Sequence, residues 1–97
     1  MPAYTSELGI YAGKRYLLSV RADDFNMPDD FCVTLYYKDA EAGENVEVVR
    51  VDTAHGYAHV DRLYRRDEPK DEFDGGVWEA CEYVEENWRD FARSYDS

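Results

Sequence analysis

The chain is poor in the residues that usually mark a specialised site. Its 97 residues include only two cysteines, two histidines, three lysines and three prolines. The cysteines, Cys32 and Cys81, form no ligand-spaced cluster and read as small buried hydrophobes in a reducing compartment; a disulfide between them is allowed but not indicated. No apolar run approaches the roughly 18 residues of a transmembrane helix, and the N-terminus has no basic-then-apolar signal segment. The expectation is a cytoplasmic chain with no membrane partner. No internal repeat is visible. The length allows one small domain, 1–97, burying about 60 to 70% of its unfolded surface.

Basic charge is the other scarcity. Eleven Lys and Arg face 22 Asp and Glu, for a net charge of −11, which ordinarily repels nucleic acid and anionic membranes. Hydrophobic residues still make up 44% of the chain, with nine Tyr, four Phe and two Trp, enough apolar material to fold in spite of the charge. Abundant Asp and Glu, few Lys and a preference for Arg resemble the surfaces of proteins from salt-loving archaea. In molar salt the Debye length falls to about 3 Å, so acidity no longer excludes an RNA partner at long range. RNA binding must then rest on short-range contacts, because counterion release contributes little.

Along the chain, residues 1–13 allow an edge strand weakened by two glycines. In residues 14–22, Tyr16, Leu18, Val20 and Ala22 alternate with Arg15, Leu17, Ser19 and Arg21, the period-two pattern of a half-buried strand. The aspartate-rich stretch 23–30 reads as a solvated loop and lacks the spacing of an EF-hand. Residues 31–38 form the next strand, with Phe31, Val33, Leu35 and Tyr37 on one face. A hairpin loop at 40–45 leads into strand 46–52, and strand 57–64 returns. Residues 65–74 are densely charged and read as a connecting loop anchored by Phe73. At the end, Val77, Cys81, Val84, Trp88, Phe91 and Tyr95 fall at helical offsets, with Asp74 the candidate N-terminal cap. The expected fold is α+β: an antiparallel β-meander of four to five strands with one C-terminal α-helix packed on the sheet. An aromatic stripe of this kind is core far more often than a partner groove.

The chemistry-bearing stretch is 50–61, which holds both histidines, His55 and His59. Gly56 and the β-branched and aromatic flanks disfavour a helix there. One straight strand would hold the imidazoles roughly 13 Å apart at about 3.3 Å per residue. A hairpin turning at His55-Gly56 remains, with a loop of two or four residues placing Asp52 opposite His59, Arg50 opposite Asp61 and Val51 opposite Val60. Arg50, Asp52, His59 and Asp61 then share one face, and Val49, Val51, Thr53, Ala58 and Val60 the other. A three-residue loop would mix apolar and charged groups and is disfavoured. His59 is the candidate general acid or base, Asp52 its orienter, and Arg50 the group that meets a phosphate-like charge. The same pairs are also ordinary cross-strand stabilisers, each contributing roughly 0.2 to 1 kcal/mol. A metal held by Asp52, His55, His59 and Asp61 requires His55 to curl back over the face. No metal or other cofactor is expected, and His55 reads as an exposed turn residue.

The order Arg50-Val51-Asp52, His55-Gly56, His59-x-Asp61, Asp67-Glu68-Pro69 and Phe73, followed by a terminal helix, resembles the small TumE-type toxins of prokaryotic toxin-antitoxin pairs. It also resembles related small proteins of haloarchaea. The resemblance covers residues 34–88. Where those toxins typically carry His-x-His, this chain has His59-Val60-Asp61. The resemblance implies an RNA-cleaving or translation-inhibiting toxin neutralised by a separately encoded antitoxin with a helix-turn-helix. On the matching positions His59 is then the acid-base residue, Asp52 its orienter and Arg50 the phosphate contact.

Two readings of different class follow. In one the chain is a metal-independent endoribonuclease acting through Arg50, Asp52, His59 and Asp61, with His55 nearby. In the other it is a non-catalytic interaction module that binds a protein partner or a second copy of itself. A helix lying over the face that bears Arg50 and His59 would make the cluster a structural network and end the catalytic reading, whereas the module can bind through an exposed sheet face or through the helix.

Overall fold

The computed structural model describes residues 3–23, 30–54, 57–63 and 71–96. In chain order they form β1 (Ala3–Tyr11), β2 (Lys14–Ala22), β3 (Phe31–Asp39), β4 (Glu44–Ala54), β5 (Tyr57–Arg62), β6 (Asp71–Phe73) and α1 (Val77–Asp96). All six strands lie in one sheet in sequence order, each antiparallel to its neighbour. The fold is therefore the expected α+β meander carrying a C-terminal helix, with six strands in place of four to five.

The additional strand is β6, which falls in the stretch read as a loop. It pairs Phe73 with Ala58 and Glu72 with His59. Three residues are too few to show alternation, and Phe73 is the one apolar side chain among them, so the segment carried no periodic signal.

The alternation of β2 is realised except at Leu17, which is buried on the opposite face. Tyr16, Leu18, Val20 and Ala22 are fully buried, as are Val33 and Leu35 on β3 and Val49 and Val51 on β4. On this face lies α1, burying Val77, Ala80, Cys81, Val84, Trp88, Phe91 and Ala92. Trp88 stands at the centre, its ring 5.4 Å from that of Tyr16. At about 25 cal/mol per Å² of apolar area, such an indole contributes several kcal/mol. The two cysteines are free: Cys32 lies in register with Arg21 and Asp52 on the face away from the helix, while Cys81 is on α1, so the sheet separates them.

Three local devices shape the meander. Tyr11 pairs with Lys14 across Ala12-Gly13, whose φ values of 52° and 78° are those of a tight I′ hairpin turn. At 40–43 the Asp39 carboxylate accepts from the amides of Glu41 and Ala42, both at 3.1 Å, and Gly43 turns the chain with φ 70°. In β4 the register passes from Leu35↔Val49 to Tyr36↔Glu47, leaving Val48 as a bulge residue. Val48 and Val49 are both fully buried, so two successive side chains enter the core.

The helix begins later than its acidic approach suggests. The amide of Ala80 bonds the carbonyl of Gly76 at 3.0 Å, so Gly76 occupies the cap position and Asp74 lies two residues outside it. Gly serves at such a position because it leaves the first amides open to solvent. The interior of the aspartate-rich loop (24–29), the turn residues His55-Gly56 and the segment 64–70 lie outside the described residues.

Candidate functional site

Because α1 takes the apolar face, no helix or strand among the described residues covers the opposite face of the sheet, and the strand registers set its side chains in rows. One row runs Arg21, Cys32, Asp52, His59, Glu72 across β2 to β6. The next runs Thr5, Ser19, Thr34, Arg50, Asp61 across β1 to β5. Neighbours in a row stand about 4.5 to 5.5 Å apart at Cα. The expected pairings of Asp52 with His59, Arg50 with Asp61 and Val51 with Val60 are those observed. Arg50, Asp52, His59 and Asp61 are thus contiguous on one face and partly exposed. His55 lies outside the described residues, and no placement is assigned to it.

The register adds a residue that the sequence alone did not associate with this group. Glu72 on β6 stands opposite His59, so the imidazole has a carboxylate-bearing residue on either side in its row. A signal was present in the acidic run Asp71-Glu72, but using it required knowing that this run forms a strand.

Arg50 has a further partner besides its cross-strand neighbour Asp61. Its guanidinium forms an ion pair and hydrogen bond with Glu47, three residues back on its own strand. In an unbroken strand an odd separation puts two side chains on opposite faces. The bulge at Val48 absorbs one residue and returns Glu47 to the face of Arg50. Burial works against the charge of Arg50, but the hydrogen bond and charge of Glu47, aided by Cys32 and Asp52, outweigh it and raise its pKa.

Around Arg50 the face sinks into an open groove of about 970 Å³, lined on the sheet by Ser19, Arg21, Thr34, Tyr36, Glu47 and Asp61. A smaller depression of about 240 Å³ adjoins it, sharing Arg21 and reaching Cys32, Asp52 and Thr53. With Tyr95 of α1 also at its wall, the groove offers two guanidinium groups, four hydroxyls and several carboxylates, groups able to hydrogen-bond a polar or charged ligand. Arg21, Ser19, Thr34 and Tyr36 were legible as the polar side of their strands, but their convergence on Arg50 depends on strand order. Among the described residues no group of three or more His, Cys, Asp or Glu side chains is placed to hold a metal ion.

Over residues 1–97 the chain matches the family described as a domain of unknown function, DUF7718. No curated protein and no solved structure matches it.

Proposed function

From a chain that belongs to the DUF7718 family, whose description assigns no activity, we propose a protein that acts on RNA through the open face of its sheet, as a toxin-like endoribonuclease. One observation carries this reading: the helix packs on the apolar face and leaves Arg50, Asp52, His59 and Asp61 adjacent and accessible beside a groove. In the proposed reaction His59 takes the proton of a ribose 2′-hydroxyl as its oxygen attacks the neighbouring phosphorus. The same imidazole returns that proton to the departing 5′-oxygen, leaving a cyclic phosphate. Asp52, with Glu72 on the other side, orients the ring, and Arg50 meets the charge that grows on the non-bridging oxygens. The reading includes a salt-adapted surface, since in molar salt the repulsion between an acidic protein and RNA is screened to about 3 Å. An antitoxin that covers the groove is the partner this reading requires.

The test is incubation of the purified protein with single-stranded RNA in molar salt. Wild type is expected to yield ends bearing 2′,3′-cyclic phosphate, and His59→Ala to lose roughly 100-fold or more of that rate while keeping its fold. RNA left intact by wild type, or cleaved equally by the variant, refutes the assignment.

A second reading, a non-catalytic interaction module, is favoured by the pairing of Arg50 with Glu47, which already balances the charge that a phosphate would need. It predicts a stable protein complex blocked by substitutions in the groove, with no RNA processing at any salt concentration.

A further inference from the structure

The two edges of the sheet are unlike. β6 is three residues long and bears Asp71 and Glu72, whereas β1 at the other edge is nine residues long. Within β1 the single acidic residue is Glu7, and Arg15 offsets it at 2.8 Å. On a chain of net charge −11, this strand adds little charge of its own, and the carboxylate nearby on the helix side is Glu85, close enough to act on Tyr4. Edge strands are ordinarily guarded by brevity, charge, proline or a bulge. In β1 the bulge residue Leu8, sixth of its nine residues, follows Glu7, and Pro2 stands ahead of the strand in sequence. Residues 3–7 lie between them, with a main-chain edge that no strand among the described residues covers.

Beside that edge, on the helix side, lies an exposed aromatic pair. Trp78 is 50% exposed and stacks on Tyr4, itself 39% exposed, with ring centroids 6.4 Å apart and planes 22° from parallel. Trp78 stands in the first turn of α1, off its buried stripe.

We propose that the protein is a twofold dimer in which residues 3–7 of β1 pair antiparallel with the same residues of a second copy. Antiparallel pairing of identical strands places the twofold axis perpendicular to the sheet. Both helices then lie on one side, where the two Tyr4–Trp78 pairs converge on the seam and bury the exposed indoles. Both open grooves lie together on the other side of one continuous sheet. The seam is self-complementary: main-chain donors meet acceptors, aromatics meet aromatics, and the Glu7 carboxylates already have their arginines. Each copy carries the same net charge elsewhere, so salt tightens the dimer by screening the remaining repulsion.

The experiment is sedimentation equilibrium from low to high salt on wild type, Trp78→Glu and Thr5→Glu. Both substituted side chains are exposed, and circular dichroism confirms that each variant folds. The expected result is a species of twice 11.3 kDa that strengthens with salt, at least tenfold weaker in either variant. Hydrogen exchange of residues 3–7 should slow as protein concentration rises. A wild type that stays monomeric to millimolar concentration in molar salt overturns the proposal. So does a dimer indifferent to both substitutions, or protection of β1 that appears only when a different protein is added.

Discussion

The indole of Trp88 closes over Gly9 so tightly that a Cβ at Gly9 would lie 3.0 Å from its Cζ2 and 3.3 Å from its Cη2. Gly9 sits where the β1 register shifts, and the missing side chain is what lets the central aromatic of the helix reach the edge of the sheet. Trp88 cannot easily yield, being 6% exposed and packed against the Tyr16 ring.

Gly9→Ala is therefore expected to destabilise the fold by about 1 to 3 kcal/mol through overpacking. Chemical denaturation checks this. Combined with Trp88→Phe, which vacates the contested space, the alanine should cost less than it does alone. The two changes should thus be coupled and not additive.

The neighbouring hairpin presents the opposite case, a residue whose replacement should help. Ala12 holds φ at 52° in the turn between β1 and β2, a left-handed conformation that costs an L-residue roughly 1 to 2 kcal/mol. Asparagine tolerates this region, and Asn-Gly is the favoured pair for such a turn. Ala12→Asn is expected to stabilise the protein by about 0.5 to 1 kcal/mol, visible as a rise of a few degrees in Tm.

These two positions show where reading the sequence stops. The helix stripe and the hairpin register of β4 and β5 were legible because each rests on a repeated period. Only one register kept Val51 with Val60 and Arg50 with Asp61. Bulges obey no period. The extra residue at Val48 puts Glu47 on the side opposite to the one unbroken alternation would give it, and so gives Arg50 a partner on its own strand. Glu72 joined His59 only through β6, a strand too short to alternate. Face membership was thus readable along each strand only as far as its bulge, whereas the groove depends on how strands and bulges add up across the sheet.

Alkaline pH should act on the aromatic layer. Burial, reinforced by the hydrogen bond and proximity of Tyr95, pushes the Tyr37 hydroxyl from 10.0 up to about 12, and the two rings meet edge to face at 5.7 Å. The folded protein holds this proton more tightly than the unfolded chain. Its contribution to stability is complete below pH 10 and is lost as pH rises towards 12, where the unfolded chain has already ionised. Denaturant titrations across that window should show stability falling, with a shallower fall in Tyr37→Phe. An equal slope in both proteins would assign the loss to other groups.

In the proposed function Arg50 meets the ligand's charge, and its pairing with Glu47 is the feature a substitution can change. Glu47→Gln preserves size and an acceptor oxygen but removes the countercharge, leaving the guanidinium to a ligand. Pairs this exposed contribute no more than about 1 kcal/mol, so affinity for a short RNA or for inorganic phosphate is expected to rise up to roughly fivefold. Asp90→Asn supplies the control. It makes the same change in net charge by removing the partner of Arg93, 2.5 Å away on the exposed side of α1. If the groove binds the anion, Glu47→Gln strengthens binding more than Asp90→Asn does, and Arg50→Ala abolishes the difference. Equal gains from the two substitutions would mean that only net charge is being sensed, and that the anion binds away from Arg50.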